Sequence, residues 1–232
     1  MLKFIRRWLW RIVAIFFLVL VFYQIWLAAH IWWWTSHNPS STAFMEARLE
    51  EIQETKPNAR LQQQWVPYGR ISPNLKRALI AAEDSKFLDH EGFDWDGIQN
   101  AYEKNLKKGK IVAGGSTISQ QLAKNLFLSK SRNPLRKLEE AAITVMLEGM
   151  MSKRRIFEIY LNVIEWGDGV FGAEMAARHY YQTSASGLSA GQAARLAAMV
   201  PSPRYYDRRR NARGLERKTP IILARMNQVQ VP

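Results

Sequence analysis

The chain has no cysteine. That excludes a disulfide framework and a thiolate metal site, and it fits any compartment. No Asp or Glu precedes Glu46, so the first part of the chain carries charge of one sign only. No run of alternating β-branched residues occurs, which argues against an extensive sheet. The Gly-Lys-Ser/Thr spacing of a P-loop is also missing. What is present is apolar content: of 232 residues, 47% are hydrophobic and 12% aromatic, too many for a disordered chain. The length suits one domain, or one domain plus an anchor. The formal charge of +13 admits nucleic acid, a membrane surface or an anionic substrate as partner.

Residues 12–29 read IVAIFFLVLVFYQIWLAA, with Gln24 the only clearly polar side chain, and the run continues to Trp34, 23 residues in all. At about 1.5 Å per residue, such a helix crosses a hydrocarbon core of about 30 Å. Lys3, Arg6, Arg7 and Arg11 precede it. Positive flanks stay in the cytoplasm, so residues 1–11 are expected inside and the rest outside. Trp32, Trp33 and Trp34 suit the outer interface. A cleaved signal peptide would have an apolar core of about 7–15 residues and a small-residue site, so the expectation is an uncleaved anchor. Without the four leading basic residues, 29 Lys and Arg still face 20 Asp and Glu, a balance of +9. Topology alone does not account for the charge.

Residues 35–65 read as a linker or entry segment, with a short helix over 43–54 that turns Phe44, Leu49 and Ile52 inward. From 66 to 232 the pattern is dense and mainly α. Ser72-Pro73 caps a helix with Leu75, Ala78, Leu79 and Ala82 on one face. Asp96 with Gln99 reads as a capping box ahead of Ile98, Tyr102 and Leu106. Thr117 with Gln120 is a second box, followed by Leu122 and Leu126. Asn133-Pro134 opens a long helix carrying Leu135, Leu138, Ala142 and Val145. Ser152 caps the next, with Ile156, Tyr160 and Leu161, and Ser189 with Gln192 opens a last one that stops at Val200. Between these, KNLKKGKIVAGG at 104–115 reads as a mobile loop near something anionic.

Several clusters carry chemistry. Glu83-Asp84 ends an apolar helix and precedes Phe87 and His90. A carboxylate beside apolar side chains can have its pKa raised, which suits general acid or base work; a solvated helix end is the plainer reading of the spacing alone. Gly114-Gly115-Ser116-Thr117 leads straight into a helix, an arrangement able to hold an anion or merely to cap a turn. Gln121 and Lys124 share a face of that helix. Arg136 and Glu140 are four apart and Lys137 and Glu140 three apart, with Arg132 just before. That set fits a surface ion-pair ladder or a phosphate clamp, because a guanidinium fork matches two phosphate oxygens at once.

The order of these segments is more specific than any one of them. E-D-S-K-F-L-D-H-E-G, then G-G-S-T-I-S-Q-Q-L-A-K-N, then R-K-L-E-E, then I-F-E-I-Y-L-N-V-I-E-W-G resembles the peptidoglycan glycosyltransferase family over about residues 65–205. That family includes the glycosyltransferase domains of class A penicillin-binding proteins and a monofunctional, membrane-anchored form. The resemblance implies a lysozyme-like, mainly α domain, with a small membrane-associated subdomain around 93–113. It implies polymerisation of lipid II: the growing glycan on undecaprenyl pyrophosphate passes to the GlcNAc 4-hydroxyl of an incoming lipid II, with inversion to a β-1,4 bond. Glu83 is then the general base, with Asp84, Phe87 and His90 shaping the motif around it. Gly115, Ser116, Thr117, Gln120, Gln121, Lys124 and Asn125 match the second motif. Lys124, Arg132, Arg136 and Lys137 hold the pyrophosphate-linked donor. Glu140 is the second catalytic-site carboxylate, and the resemblance leaves open a divalent cation (Mg or Mn) beside it. Tyr160, Leu161 and Asn162 match the fourth motif as architecture. The implied setting is a bacterial inner membrane with the catalytic domain in the periplasm, the partners being the membrane, the two lipid-linked substrates and other cell-wall synthesis or division proteins. Ser119 stands where many members carry Thr, and Glu139 adds an acid beside Glu140; neither departure touches the activity.

Two other functions compete. A lytic transglycosylase or muramidase would also use two carboxylates, but it has no pyrophosphate to bind with the Arg/Lys cluster. A membrane-bound nucleic-acid module is motivated by the +9 and by RYYDRRRNARGLERK at 204–218. No nucleic-acid-binding motif accompanies that stretch, so no nucleic-acid partner is expected. No Ser-x-x-Lys occurs and no second domain is expected, so neither transpeptidase activity nor β-lactam sensitivity is expected.

Overall fold

In a computed structural model, residues 2–110, 114–128 and 134–232 are described. The chain divides into two compact units, Met1–Asn38 and Pro39–Pro232. The first is helix α1, Leu2–Trp34, long and apolar enough to cross a membrane. The helix begins ahead of the apolar run, so Lys3, Arg6, Arg7 and Arg11 lie on its first three turns.

The second unit is a helical domain. It comprises α2 (Ala43–Gln53), α3 (Pro73–Glu83), α4 (Trp95–Lys108), α5 (Ile118–Phe127), α6 (Pro134–Met150), α7 (Lys153–Val163), α8 (Ala173–Tyr181), α9 (Ala190–Met199), α10 (Pro203–Arg208) and α11 (Arg213–Arg225). Three very short strands, β1 (Gln62–Gln63), β2 (Glu165–Gly167) and β3 (Val170–Phe171), form a sheet in the order β1-β3-β2. β1 runs parallel to β3 and β2 antiparallel to it. Strands of two or three residues leave no alternation in a sequence. Gly172 follows β3 at φ +78, where a Cβ would lie 2.7 Å from the Asn162 carbonyl oxygen; glycine alone lets the chain turn there into α8.

Capping chemistry sets most helix starts. Ser72, Ser152 and Thr42 each accept a backbone N–H at the head of their helix. The Thr117/Gln120 and Ser189/Gln192 boxes close in both directions. For α4 the cap is Asp94 rather than Asp96: its Oδ1 accepts the Gly97 N–H at 2.9 Å, and a Cβ at 97 would lie 2.4 Å from Asp94 Oδ2. Asp96 instead accepts from Lys86 at 2.8 Å, and Gln99 donates to Glu103.

The core holds Phe87, Phe157, Tyr160, Trp166 and Phe171, all fully buried. On α2 Phe44 packs edge-on against the buried Phe171 and Ile52 lies against Gly169, so both turn inward, half-buried like Leu49, while Met45 and Arg48 are buried outright. Two expectations are corrected. Lys104, Lys107 and Lys108 belong to α4, which ends in a left-handed Gly109, so the expected mobile loop is helix up to that point; 111–113 lie outside the described residues. The apolar stripes of α4 and α6 point outward. Tyr102 and Leu106 on α4, and Leu135, Leu138 and Val145 on α6, are each at least 60% exposed. The inward faces carry Ala101 on α4, and Glu140, Ile143, Thr144 and Leu147 on α6. Helical spacing identifies an apolar face without saying whether it meets a core or a membrane.

Candidate active site

α3 carries an apolar face into the core and delivers Glu83 as its last residue. Asp84 follows in extended backbone and is 6% exposed. Its Oδ2 accepts the backbone N–H of Ile118, the first residue of α5, at 2.9 Å. A carboxylate at a helix N-terminus takes up an otherwise unpaired donor and complements the helix dipole. His90 Nδ1 accepts the Gly92 N–H at 3.1 Å, so its proton sits on Nε2 and is donated to Asp84, 3.0 Å from Oδ1. Thr117 Oγ1 donates to the Gly92 carbonyl at 2.7 Å. These bonds tie the first sequence motif to the second and fix α5 against the end of α3.

α5 then presents Gln121 to Glu83. Gln121 Nε2 donates to Glu83 Oε2 at 2.8 Å, and Gln121 Oε1 accepts from the hydroxyl of Tyr160 at 2.9 Å. The phenol thereby fixes which end of the amide faces the carboxylate. Burial pushes the Glu83 carboxyl above the usual carboxylate range, opposed by the Gln121 hydrogen bond and by Lys218 and Lys124. Burial likewise lowers the Lys124 ammonium, with Glu140 opposing and Arg136 and Lys137 reinforcing the shift. Lys124 therefore feels both carboxylates.

α6, packed on α5, supplies the second carboxylate. Glu140 is 4% exposed. Lys137 Nζ donates to its Oε1, and Arg136 NH1 lies 3.7 Å from its Oε2. The Arg136 Nε is buried without a hydrogen-bond partner among the described residues, a donor without an acceptor. The side chains here offer one carboxylate and two cations. Among the described residues no group of three His, Asp or Glu side chains gathers anywhere. A hard divalent cation takes several oxygen ligands, and the described side chains beside Glu140 do not supply such a set by themselves.

Two cavities flank this assembly. One, about 190 Å³, is lined by Glu83, Ala197, Pro201, Lys218 and Ile222. The other, about 200 Å³, is lined by Phe44, Gln121, Lys124, Asn125, Glu165, Pro201 and Arg204. Glu83 thus faces open space on the α9–α11 side, and Lys124 faces it on the α2–α10 side. Of the residues expected in the site, Glu83, Gln121, Lys124 and Asn125 line these cavities, and Glu140, Arg136 and Lys137 cluster beside Lys124. Asp84, Phe87, His90, Thr117 and Gln120 stand behind them, with Phe87 fully buried beneath the Lys153 ammonium, 4.6 Å from its ring centroid. Ser116 is exposed, and Arg132 lies outside the described residues. Asn162 is architectural: its side chain clamps both backbone polar groups of Val66. Tyr160, expected as architecture too, reaches the site through Gln121. Lys218, Glu165 and Arg204 were missed as site residues: Glu165 lies within the fourth motif and the other two within the basic stretch at 204–218, but only tertiary packing brings β2, α10 and α11 to the cleft.

The domain thus holds a buried carboxylate raised above its usual range and a second one beside cations, and a helix of membrane-spanning length and apolarity precedes it in the chain. A family model described as Transglycosylase matches residues 48–227. A Biosynthetic peptidoglycan transglycosylase of Methylobacillus flagellatus is 68% identical over 98% of this chain and 100% of its own length. Proteins of the same description from Laribacter hongkongensis and Nitrosospira multiformis are 66% and 63% identical, over 97% and 99% of this chain and 99% and 100% of their own. The chain belongs to the transglycosylase family and acts as a peptidoglycan transglycosylase.

Proposed function

We propose that the enzyme polymerises glycan strands from lipid II, with Glu83 as general base. The carrying observation is the Glu83 carboxylate, raised in pKa by burial and held on one oxygen by Gln121. Gln121 engages only Oε2, which leaves the other oxygen to an acceptor hydroxyl. The GlcNAc 4-hydroxyl gives its proton to Glu83 as its oxygen attacks the donor's anomeric carbon. The bond from that carbon to the pyrophosphate oxygen breaks on the opposite face, which inverts the centre. Negative charge then grows on the leaving pyrophosphate. Lys124, Arg136 and Lys137 neutralise it, as fixed cations in a partly desolvated cleft do most effectively. Glu140 holds Lys137 and Arg136 in place. Both substrates are lipid-linked, so an anchored enzyme meets them at high local concentration and restricted orientation. The outward apolar faces of α4 and α6 suit contact with that membrane, and the basic residues at the head of α1 favour a cytoplasmic N-terminus with the domain in the periplasm.

The deciding experiment incubates the purified full chain with labelled lipid II. Polymer is expected; shortening of preformed glycan without polymer would overturn the reading in favour of a lytic enzyme. Two substitutions probe the roles. Lys124→Ala removes a charge-assisted contact to phosphate, and affinity for a phosphoglycolipid inhibitor is expected to fall by about 10- to 100-fold. Unchanged affinity would remove Lys124 from the donor site. Tyr160→Phe deletes only the hydroxyl that orients Gln121. Turnover is expected to drop by about tenfold with KM nearly unchanged, and the acid limb of the rate profile to move to higher pH, because a less constrained amide stabilises the Glu83 anion less well. An unshifted limb would make Tyr160 a packing residue only.

A further inference from the structure

The basic stretch at 204–218 has only one residue in the reaction's immediate surroundings, Lys218, and one at its edge, Arg204. The rest forms a surface of its own. Arg204 lines the cleft cavity together with Gln121, Lys124 and Asn125. It also lines a neighbouring hollow of about 390 Å³ with Tyr205, Arg208 and Arg209. Those three in turn wall a larger one of about 640 Å³ that reaches Arg210 and Arg213. The concavities share walls in series, leading from Lys124 outward along α10 to the start of α11. No carboxylate lines either outer hollow. Of the two acids within this stretch, Glu216 and Asp207, neither lines these hollows; Asp207 contacts His179 at 3.0 Å, accepts the Asp168 N–H at 3.1 Å and lies 3.5 Å from Arg210, leaving Arg208, Arg209 and Arg213 to the hollows.

Fold stability does not account for these charges. Arg208 is 72% exposed and only 4.0 Å from its nearest acid, Asp168, a distance and exposure at which an ion pair contributes little. Arg213 begins α11, where a cation opposes the helix dipole. Tyr205 is 48% exposed with the Arg209 guanidinium 4.8 Å from its ring centroid, so an aromatic face and a cation are offered together.

We infer that this tract is a secondary binding track for the glycan strand, in which Arg208, Arg209 and Arg213 pair with carboxylates on the strand's peptide stems while Tyr205 packs against its sugar rings. The inference rests on the polymerase reading above. A guanidinium fork fits a carboxylate at two points. A tyrosine ring combines an apolar face with a polar tip, as a sugar surface requires. The track is continuous with the cleft, which favours a polymer already threaded through the cleft over any separate ligand. Weak contacts repeated along one polymer raise its effective concentration at the site, so the strand stays bound between additions and grows longer.

The test compares the full chain with an Arg208→Gln, Arg209→Gln, Arg213→Gln variant in vesicles, reading initial lipid II consumption and product length by gel. Mean product length is expected to fall by about threefold or more while the initial rate stays within about twofold. With lipid II whose stem carboxylates are amidated, the unsubstituted enzyme is expected to give the same short products as the variant. Equal lengths for the two proteins on ordinary lipid II would overturn the inference. So would a length difference that survives amidation, or one that vanishes when anionic phospholipid is replaced by zwitterionic lipid, which would make a lipid headgroup the occupant. Absence of polymer from the unsubstituted enzyme would sink the polymerase reading itself; polymer with no effect of the triple variant sinks the track alone.

Discussion

Glu83→Gln is expected to abolish polymerisation, lowering turnover by about 10²- to 10⁴-fold, the usual contribution of a positioned general base, in a protein that folds normally. The amide keeps the size and one acceptor oxygen of the carboxylate but cannot take a proton. The pH dependence follows from the same burial. With the Glu83 carboxyl raised above its ordinary range, the acid limb of the rate profile of the unsubstituted enzyme is expected above the pH at which an exposed glutamate would titrate. Stability should move the opposite way from activity. As pH rises from the unfolded pKa to the raised folded pKa, the unfolded chain releases this proton first, so this group's contribution to stability falls across that window and then levels. Glu83→Gln lacks that fall. Its melting temperature near neutral pH is therefore expected to equal or exceed that of the unsubstituted protein. Near-normal turnover in Glu83→Gln would remove Glu83 from the role of base.

Asp84→Ala is expected to be the most damaging change to the fold of the site. Asp84 is buried and serves two donors, the Ile118 N–H at the head of α5 and His90 Nε2 from its own motif. Its loss leaves both without an acceptor and opens the joint between α3 and α5. A cost of about 3 kcal/mol is expected from two buried donors stripped of a charged partner. For a domain of this size that corresponds to a fall in Tm of about 6–12 °C. Asp84→Asn should cost less: its amide oxygen still accepts from Ile118, while its NH₂ meets His90 only if the imidazole changes tautomer. Thermal unfolding followed by circular dichroism checks both variants, and a fall below about 1 °C for Asp84→Ala would show that the joint is held by packing instead.

Much of this domain was legible because its signals are local. Hydroxyl caps with a Gln three residues on marked α5 and α9, and the apolar spacing of α3 pointed to the helix that ends at Glu83. α4 was anticipated but capped at the wrong acid: Asp96 has the Gln three residues on that a capping box uses, yet the Gly97 N–H goes to Asp94, two residues earlier. The stripes of α4 and α6 illustrate a different limit. Leu135, Leu138 and Val145 have the spacing of a core face, yet the core side of α6 holds Glu140 and Thr144 instead. Hydropathy registers that a face avoids water, and a membrane satisfies that as well as a protein interior does.

The sequence alone determined the anchor-length helix, the mainly α class, and the order of motifs carrying Glu83, Lys124 and Glu140. These follow from run length, period and short-range spacing. Tertiary structure decided what those residues touch. It set Tyr160 behind Gln121, brought Lys218 within reach of Glu83, and ran the arginines of 204–213 outward from the cleft. Each of these relations joins segments far apart in the chain, where only the packing of helices fixes distance, and distance governs both the desolvation of a carboxylate and the pairing of a charge.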